Sequence, residues 1–181
     1  MKKTILVICI LLIATATFAQ KTFTLTSNNL QGQATNKERF NGAGCNGENQ
    51  SPQLSWANAP AGTKSFAITM YDSDAPTGSG WWHWVVFDIP ANISELASNA
   101  GKISAKLIPA GAIQSLTDFG VAGYGGPCPP ANTGIHNYTI TVYALKTDKL
   151  GLNENTLPPN VGFTLSKNTL AKASLVFYDQ W

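Results

Sequence analysis

The sequence predicts a mostly β protein, an antiparallel β-sandwich with a few short peripheral helices. Three observations lead there. Stretches such as Ser65–Tyr71 and His136–Leu145 alternate apolar with smaller or polar side chains, the period of a half-buried strand. Turn-forming clusters such as Asn41-Gly42 and Ala59-Pro60-Ala61-Gly62 separate these runs. Helical periodicity is confined to one stretch near the end. Short strands, Gly/Pro turns and little helix are the mark of two packed antiparallel sheets. With 181 residues, the chain can form one domain with a substantial core.

In chain order, Thr22–Thr26 reads as a first strand. Residues 27–52 are rich in turns and too long for a structureless loop, so part of them should lie against the domain and carry function. Gln53–Trp56 is a short strand. Ser65–Tyr71 follows, with Phe66, Ile68 and Met70 on one face, and delivers Asp72 and Asp74 to its C-terminal end. Trp82–Ile89 is the next strand, closed by Pro90. Ser94–Ser98 has the composition of one helical turn with Ser94 as N-cap. Lys102–Ile108 reads as an edge strand, and residues 111–123 as a loop. Gly123–Pro130, GYGGPCPP, is a rigid irregular segment. His136–Leu145 sets Tyr138, Ile140, Val142 and Ala144 on one face. Phe163–Lys172 is the helical stretch, with Thr164 or Ser166 as cap, and Leu175–Trp181 is a last strand.

Composition excludes some functions. Removing Lys2 and Lys3, which lie in a leader-like segment, leaves ten basic against ten acidic residues, and Arg39 is the only arginine. A nucleic-acid surface needs a basic face, and a polybasic membrane patch is missing too. Met1-Lys2-Lys3 followed by apolar Ile5–Ile13 and by Thr17-Phe18-Ala19 reads as a signal peptide over residues 1–19, cut after Ala19. The expected mature domain is 20–181, periplasmic or secreted, with no transmembrane segment after cleavage. The rival reading is an uncleaved N-terminal anchor. Cys45 and Cys128 remain in the mature chain; an even count in an oxidising compartment permits one disulfide, and two buried thiols are the alternative.

The chemistry is concentrated in Tyr71–Pro90, YDSDAPTGSGWWHWVVFDIP. Asp72 and Asp74 flank a serine, Pro76 rigidifies the turn, and Trp81, Trp82 and Trp84 bracket His83. The only other histidine, His136, also opens a strand after a Gly-rich segment. Tyr138 shares its face. If the two strands are neighbours, both imidazoles meet the aspartates at one rim. Imidazole and phenol donate hydrogen bonds, so such a cluster suits an oxyanion. Carboxylates nearby would favour protonated imidazole, and binding would weaken as pH rises through the histidine range. The bland alternative is a buried hairpin whose aromatics are core and whose aspartates cap a turn. No G-x-S-x-G elbow is present, Cys128 lacks a nucleophile signature, and the two His and two Asp lack metal-site spacing. No catalytic residue, metal or cofactor is expected.

DSDAP at 72–76 with WHW at 82–84, then GYGGPCPP at 123–130 with TGIHNY at 133–138, resemble the two signature regions of the phosphatidylethanolamine-binding proteins, the family of Raf kinase inhibitor protein. GENQSPQLSW at 47–56 and PAGAIQSLTDFG at 109–120 extend the likeness over the mature chain. The resemblance implies a β-sandwich with a small anion pocket and a non-enzymatic binding protein. The implied partners are a small anionic ligand or a phospholipid head group, with modulation of a protein partner as a further expectation. It places ligand contacts on Asp72, Asp74, His83, His136 and Tyr138. Pro76, Trp82, Tyr124, Gly126 and Pro127 are the expected pocket wall. Asn137 stands where the family commonly carries arginine, removing a cation from the site. The alternatives are a protease or kinase inhibitor-like regulator without a lipid ligand, and a small hydrolase or metal-binding protein using the same pocket.

Overall fold

The computed structural model describes residues 21–180; the leader lies outside them. A five-stranded antiparallel sheet carries the fold, in the order β10-β9-β5-β6-β8. Its strands are β5 (Ser65–Asp72), β6 (Trp81–Pro90), β8 (Ile113–Gln114), β9 (His136–Leu145) and β10 (Thr169–Asp179). A three-stranded sheet, β1 (Thr24–Thr26), β4 (Leu54–Ala57) and β7 (Glu95–Leu96), packs on one face. A two-stranded hairpin, β2 (Asn41–Gly42) and β3 (Cys45–Asn46), stands apart.

The period-two pattern fixes what fills the sandwich. Phe66, Ile68 and Met70 of β5, and Tyr138, Ile140, Val142 and Ala144 of β9, meet Leu25, Leu54 and Trp56 of the smaller sheet in one core. Ala67, Val85, Phe87 and Leu145 point to the other face and are covered by Val161 and Leu165 of helix α1 (Pro158–Asn168).

Three local expectations are corrected. Residues 94–98 form no helical turn: Glu95–Leu96 is β7, paired with β4, because Leu96 is drawn into the core. Residues 102–108 are no edge strand: Ile103–Ala105 is a 3-10 turn, ended by Lys106 in the left-handed region (φ 53°). The helix starts earlier, at Pro158, and ends at Asn168. Prolines at its first two positions lack the N–H groups a helix start leaves unbonded anyway. The stretch 169–172, read as helix, belongs to β10, whose pairing with β9 supplies backbone partners that helical propensity could not outweigh.

Cys45 and Cys128 are joined, with sulfurs 2.02 Å and Cα atoms 6.0 Å apart. The bond ties the β2–β3 hairpin to the Gly/Pro segment across 83 residues of chain. Chain-entropy reasoning for a loop of that size gives about 4 kcal/mol of stabilisation. Leader-cleaved protein from an oxidising compartment should therefore show no titratable thiol when denatured without reductant. The Cys45→Ser/Cys128→Ser variant should lose about 4 kcal/mol in urea unfolding.

Candidate functional site

The site lies where the core-facing side of the large sheet runs past the cover of the small one. Register puts Asp72 of β5 opposite Tyr138 of β9, and Asp179 of β10 opposite His136 of β9. All four are buried. Asp72 continues the Phe66-Ile68-Met70 face by one more strand period. A carboxylate withdrawn from water needs partners. Asp72 Oδ2 accepts from His136 Nδ1–H at 2.8 Å, and Oδ1 accepts the Asp74 backbone N–H at 2.8 Å. His136 Nε2 lies 2.8 Å from the Thr133 hydroxyl, so both ring nitrogens are engaged within the protein.

His83 is placed by a β-bulge. Met70 pairs with Trp84 and Tyr71 with Trp82, which leaves His83 as the extra residue of β6. Its main chain and side chain turn to the Gly/Pro segment instead. Gly125 N–H donates to His83 O at 2.9 Å, and His83 Nδ1–H donates to Gly125 O at 2.7 Å. Burial lowers the imidazole pKa from 6.5 to about 4, against the opposing pull of the Gly125 carbonyl and the Asp72 charge. The ring is therefore neutral at neutral pH. The Asp72 carboxylate favours the protonated ring, as expected of nearby carboxylates, but desolvation exceeds its attraction.

These residues open on a cavity of about 250 Å³. Asp72, His83, His136 and Tyr138 line one side. Ala75, Pro76 and Thr77 come from the β5–β6 turn, and Trp81 from the start of β6. Phe40, Ala43, Phe119, Cys128, Pro129 and Pro130 complete the walls. The Tyr138 ring stacks on Phe177 and meets His83 edge-on. Burial first, then the charges of Asp72, Asp179 and Asp74 and a hydrogen bond to the Asp72 carboxylate, raise the Tyr138 pKa, so its hydroxyl keeps its proton. Phe40 and Phe119 stack with centroids 4.7 Å apart and separate this cavity from a larger one of about 540 Å³. The larger one contains neither histidine nor aspartate, so the smaller one holds the candidate chemistry.

The structure thus brings Asp72, His83, His136, Tyr138 and Pro76 to one cavity and leaves other expected residues outside it. Asp74 is exposed at the rim. Its Oδ2 accepts from Asn137 N–H (2.7 Å) and Asn137 Nδ2–H (3.0 Å), and these bonds lower its pKa. Trp82 is not a wall residue: neighbours along a strand point to opposite faces, so Trp81 lines the cavity while Trp82 packs toward the α1 side, against Tyr71. Tyr124 is not one either; its hydroxyl donates to Glu38 O at 3.0 Å, and its ring lines the larger cavity. Gly126 and Pro127 face the 35–49 segment. A side chain at Gly126 would strike Glu38 O at 1.9 Å, and Pro127 O accepts the Phe40 N–H.

Sequence reasoning missed Phe40, Ala43 and Phe119, whose contribution depends on tertiary folding of loops. It also missed Thr133 behind His136, and Asn49, whose side chain brackets Gly125 by bonding Tyr124 O (3.2 Å) and Gly126 N–H (2.8 Å). Thr133 and Asn49 did stand inside recognised motifs, which was the available signal. Among the described residues no group of three or more His, Cys, Asp or Glu is arranged to hold a metal ion.

A β-sandwich with one small histidine- and carboxylate-lined cavity at its rim defines a ligand-pocket protein of mostly β class. The profile "Phosphatidylethanolamine-binding protein" matches residues 30–179, and the chain belongs to that family. It is 45% identical over 175 residues to the UPF0098 protein YbcL of Escherichia coli, covering 96% of both chains. It is 46% identical over 136 residues to YbhB of the same organism, covering 75% of this chain and 85% of YbhB. The crystal structure of E. coli YbcL, described as a new member of the mammalian PEBP family, superposes with a TM-score of 0.86 over 90% of this chain and 99% of that one. A putative phosphatidylethanolamine-binding protein homologue from Chlamydia trachomatis gives 0.72 at 27% identity, over 88% and 97%. The chain is a binding protein of the PEBP kind.

His83 generates a prediction about acid stability. Its native pKa of about 4 lies below the unfolded value of 6.5. As pH falls below 6.5, the unfolded chain takes up a proton that the native state refuses until about 4. Stability carried by neutral His83 is thus complete above 6.5 and lost by about pH 4, an effect of about 3 kcal/mol. Urea unfolding across this window should show that loss in the wild type and a shallower slope in His83→Gln. Equal slopes would contradict the buried neutral ring.

Proposed function

We propose that the rim cavity binds a small phosphate-type anion, free or as the head group of a larger molecule, and that the protein acts by binding rather than by catalysis. The observation that carries this reading is the Tyr138 hydroxyl. It keeps its proton, lies beside the Asp72 carboxylate and belongs to the cavity wall, while the ring is fixed between Phe177 and His83. A protonated phenol in a cavity with apolar walls favours an acceptor-rich guest. The volume of about 250 Å³ has room for a phosphate group together with a small substituent. Cys128, the one thiol-bearing residue of the lining, is spent in the disulfide, which speaks against a cysteine nucleophile there. The family match supports binding as the mode of action. The leader and the disulfide support an exported location, as does a 39% identical segment of a putative lipoprotein of Mycobacterium tuberculosis.

The test is calorimetric titration with inorganic phosphate and with phosphoethanolamine, beside flotation with vesicles containing phosphatidylethanolamine. Binding in solution alone would assign the free anion as ligand; binding to vesicles as well would assign the head group. In either case Tyr138→Phe should weaken affinity about ten-fold, the value of a lost hydrogen bond to a charged acceptor. Unchanged affinity in a folded Tyr138→Phe variant would reject the cavity as the site.

A further inference from the structure

We propose that the turn over residues 102–108, with Val121 beside it, is a membrane-docking surface that seats the protein on an anionic lipid bilayer. The surface is distinct from the rim cavity and docks whether or not that cavity binds an anion. Three large aliphatic side chains are about half exposed or more here: Ile103 (52%), Leu107 (49%) and Val121 (62%). They are neighbours in space as well as in exposure. Ile103 and Val121 both line the cavity of about 540 Å³, and a side chain at Gly123 would meet Ile103 Cγ1 at 3.2 Å. Ile103 also lines, with Lys106 and Ile108, a further surface hollow of about 590 Å³. Exposed aliphatic residues gathered in this way mark an interaction surface, whereas single ones do not.

The fold holds this turn outward. Ala100 and Ile108 fasten its two ends to the core between the sheets, and Gly101 N–H donates to Ser51 Oγ at 2.8 Å. Between these anchors Ile103–Ala105 makes its 3-10 turn. Lys106 ends it in the left-handed region, with its N–H donating to Ile103 O. Leu107 follows that reversal and stays outside the core.

Charge and composition choose the occupant. Lys102 and Lys106 are exposed on the same turn, and Lys149 donates to Gly111 O at the rim of the hollow (2.8 Å). Neither Lys102 nor Lys106 forms an ion pair among the described residues. The acids nearby are Glu48, which accepts from Gln50, and Glu154, so three lysines stand against two glutamates. Protein interfaces favour tyrosine, tryptophan and arginine and avoid lysine. This turn exposes isoleucine, leucine, valine and lysine instead. Aliphatic side chains enter the acyl region, and a lysine lays its stem along them while its ammonium stays at the phosphate level. The chain has no polybasic patch, so aliphatic insertion supplies most of the binding and the lysines supply the preference for anionic lipid. Phe119, two residues before Val121, lines both the larger cavity and the rim cavity, so docking here brings the rim cavity close to the lipid surface.

Flotation of the leader-free chain with vesicles tests this. Vesicles of phosphatidylcholine alone are compared with vesicles that also contain phosphatidylglycerol, each with and without excess soluble phosphoethanolamine. The protein should float more strongly with the anionic vesicles, and the excess phosphoethanolamine should not release it. Ile103→Ser, Leu107→Ser and Val121→Ser should each weaken partition about ten-fold. Lys102→Gln and Lys106→Gln should each weaken it about five-fold, on anionic vesicles only. Phe163→Ser is the control and should float as the wild type does: Phe163 is 63% exposed, but on helix α1, which covers the other face of the large sheet. Unchanged urea midpoints check that the variants are folded. Failure of the wild type to float, an equal loss in Phe163→Ser, or aliphatic variants that float like the wild type would overturn the proposal. Release by phosphoethanolamine would overturn it too, and would assign vesicle binding to the rim cavity. So would wild-type self-association in sedimentation that the three serine variants abolish while no flotation occurs, which would mark a protein-binding face.

Discussion

Burying the Asp72 carboxylate is the constraint around which the site is built. A charge at the rim of a sandwich core must be matched there, and the match is the His136 imidazole one strand away. That pairing works because the β5–β9 register sets Asp72 opposite Tyr138, within reach of His136 two residues earlier. A second buried carboxylate, Asp179 on β10, lies at the same end of the sheet and recruits the chain's only arginine. Arg39 Nε and Nη2 grip Asp179 as a fork, at 2.9 and 2.6 Å. The fork fixes residues 35–49 across the rim, and from that segment come Phe40 and Ala43 of the wall, Asn49 behind Gly125, and Cys45 of the disulfide. The cavity is what remains between two satisfied carboxylates and the loops they hold.

Such an arrangement gives each polar group of the cavity a partner within the protein. Asp72 and His136 are hydrogen-bonded to each other, Asp74 is engaged by Asn137, and His83 is neutral. Discrimination must then come from direction and count of hydrogen bonds in a small apolar-walled space, where an unpaired group costs more than in water. The position that commonly carries arginine in the family holds Asn137, which spends its side-chain donor on Asp74.

Much of this was legible in the sequence, for identifiable reasons. His136–Leu145 is a strand with the expected bounds because its apolar period is unbroken, and the same period carries His136 and Tyr138 to the core face. Asp72 could be placed because it extends the Phe66-Ile68-Met70 face. What failed depended on events that no local pattern encodes. The bulge at His83 shifts the register of β6, so which of the neighbouring tryptophans faces the cavity could not be read from alternation alone. Residues 169–172 look helical in isolation and become strand because β9 offers an open edge. The protonation of His83 depends on burial by Phe119 and Tyr138, residues far from it in the chain.

The most direct measurement is a crystal structure of the protein grown with phosphoethanolamine. The site described here predicts phosphorus density inside the rim cavity, with one oxygen accepting from Tyr138 Oη. Phosphorus density in the larger neighbouring cavity or on surface lysines, with the rim cavity holding only water, would contradict it.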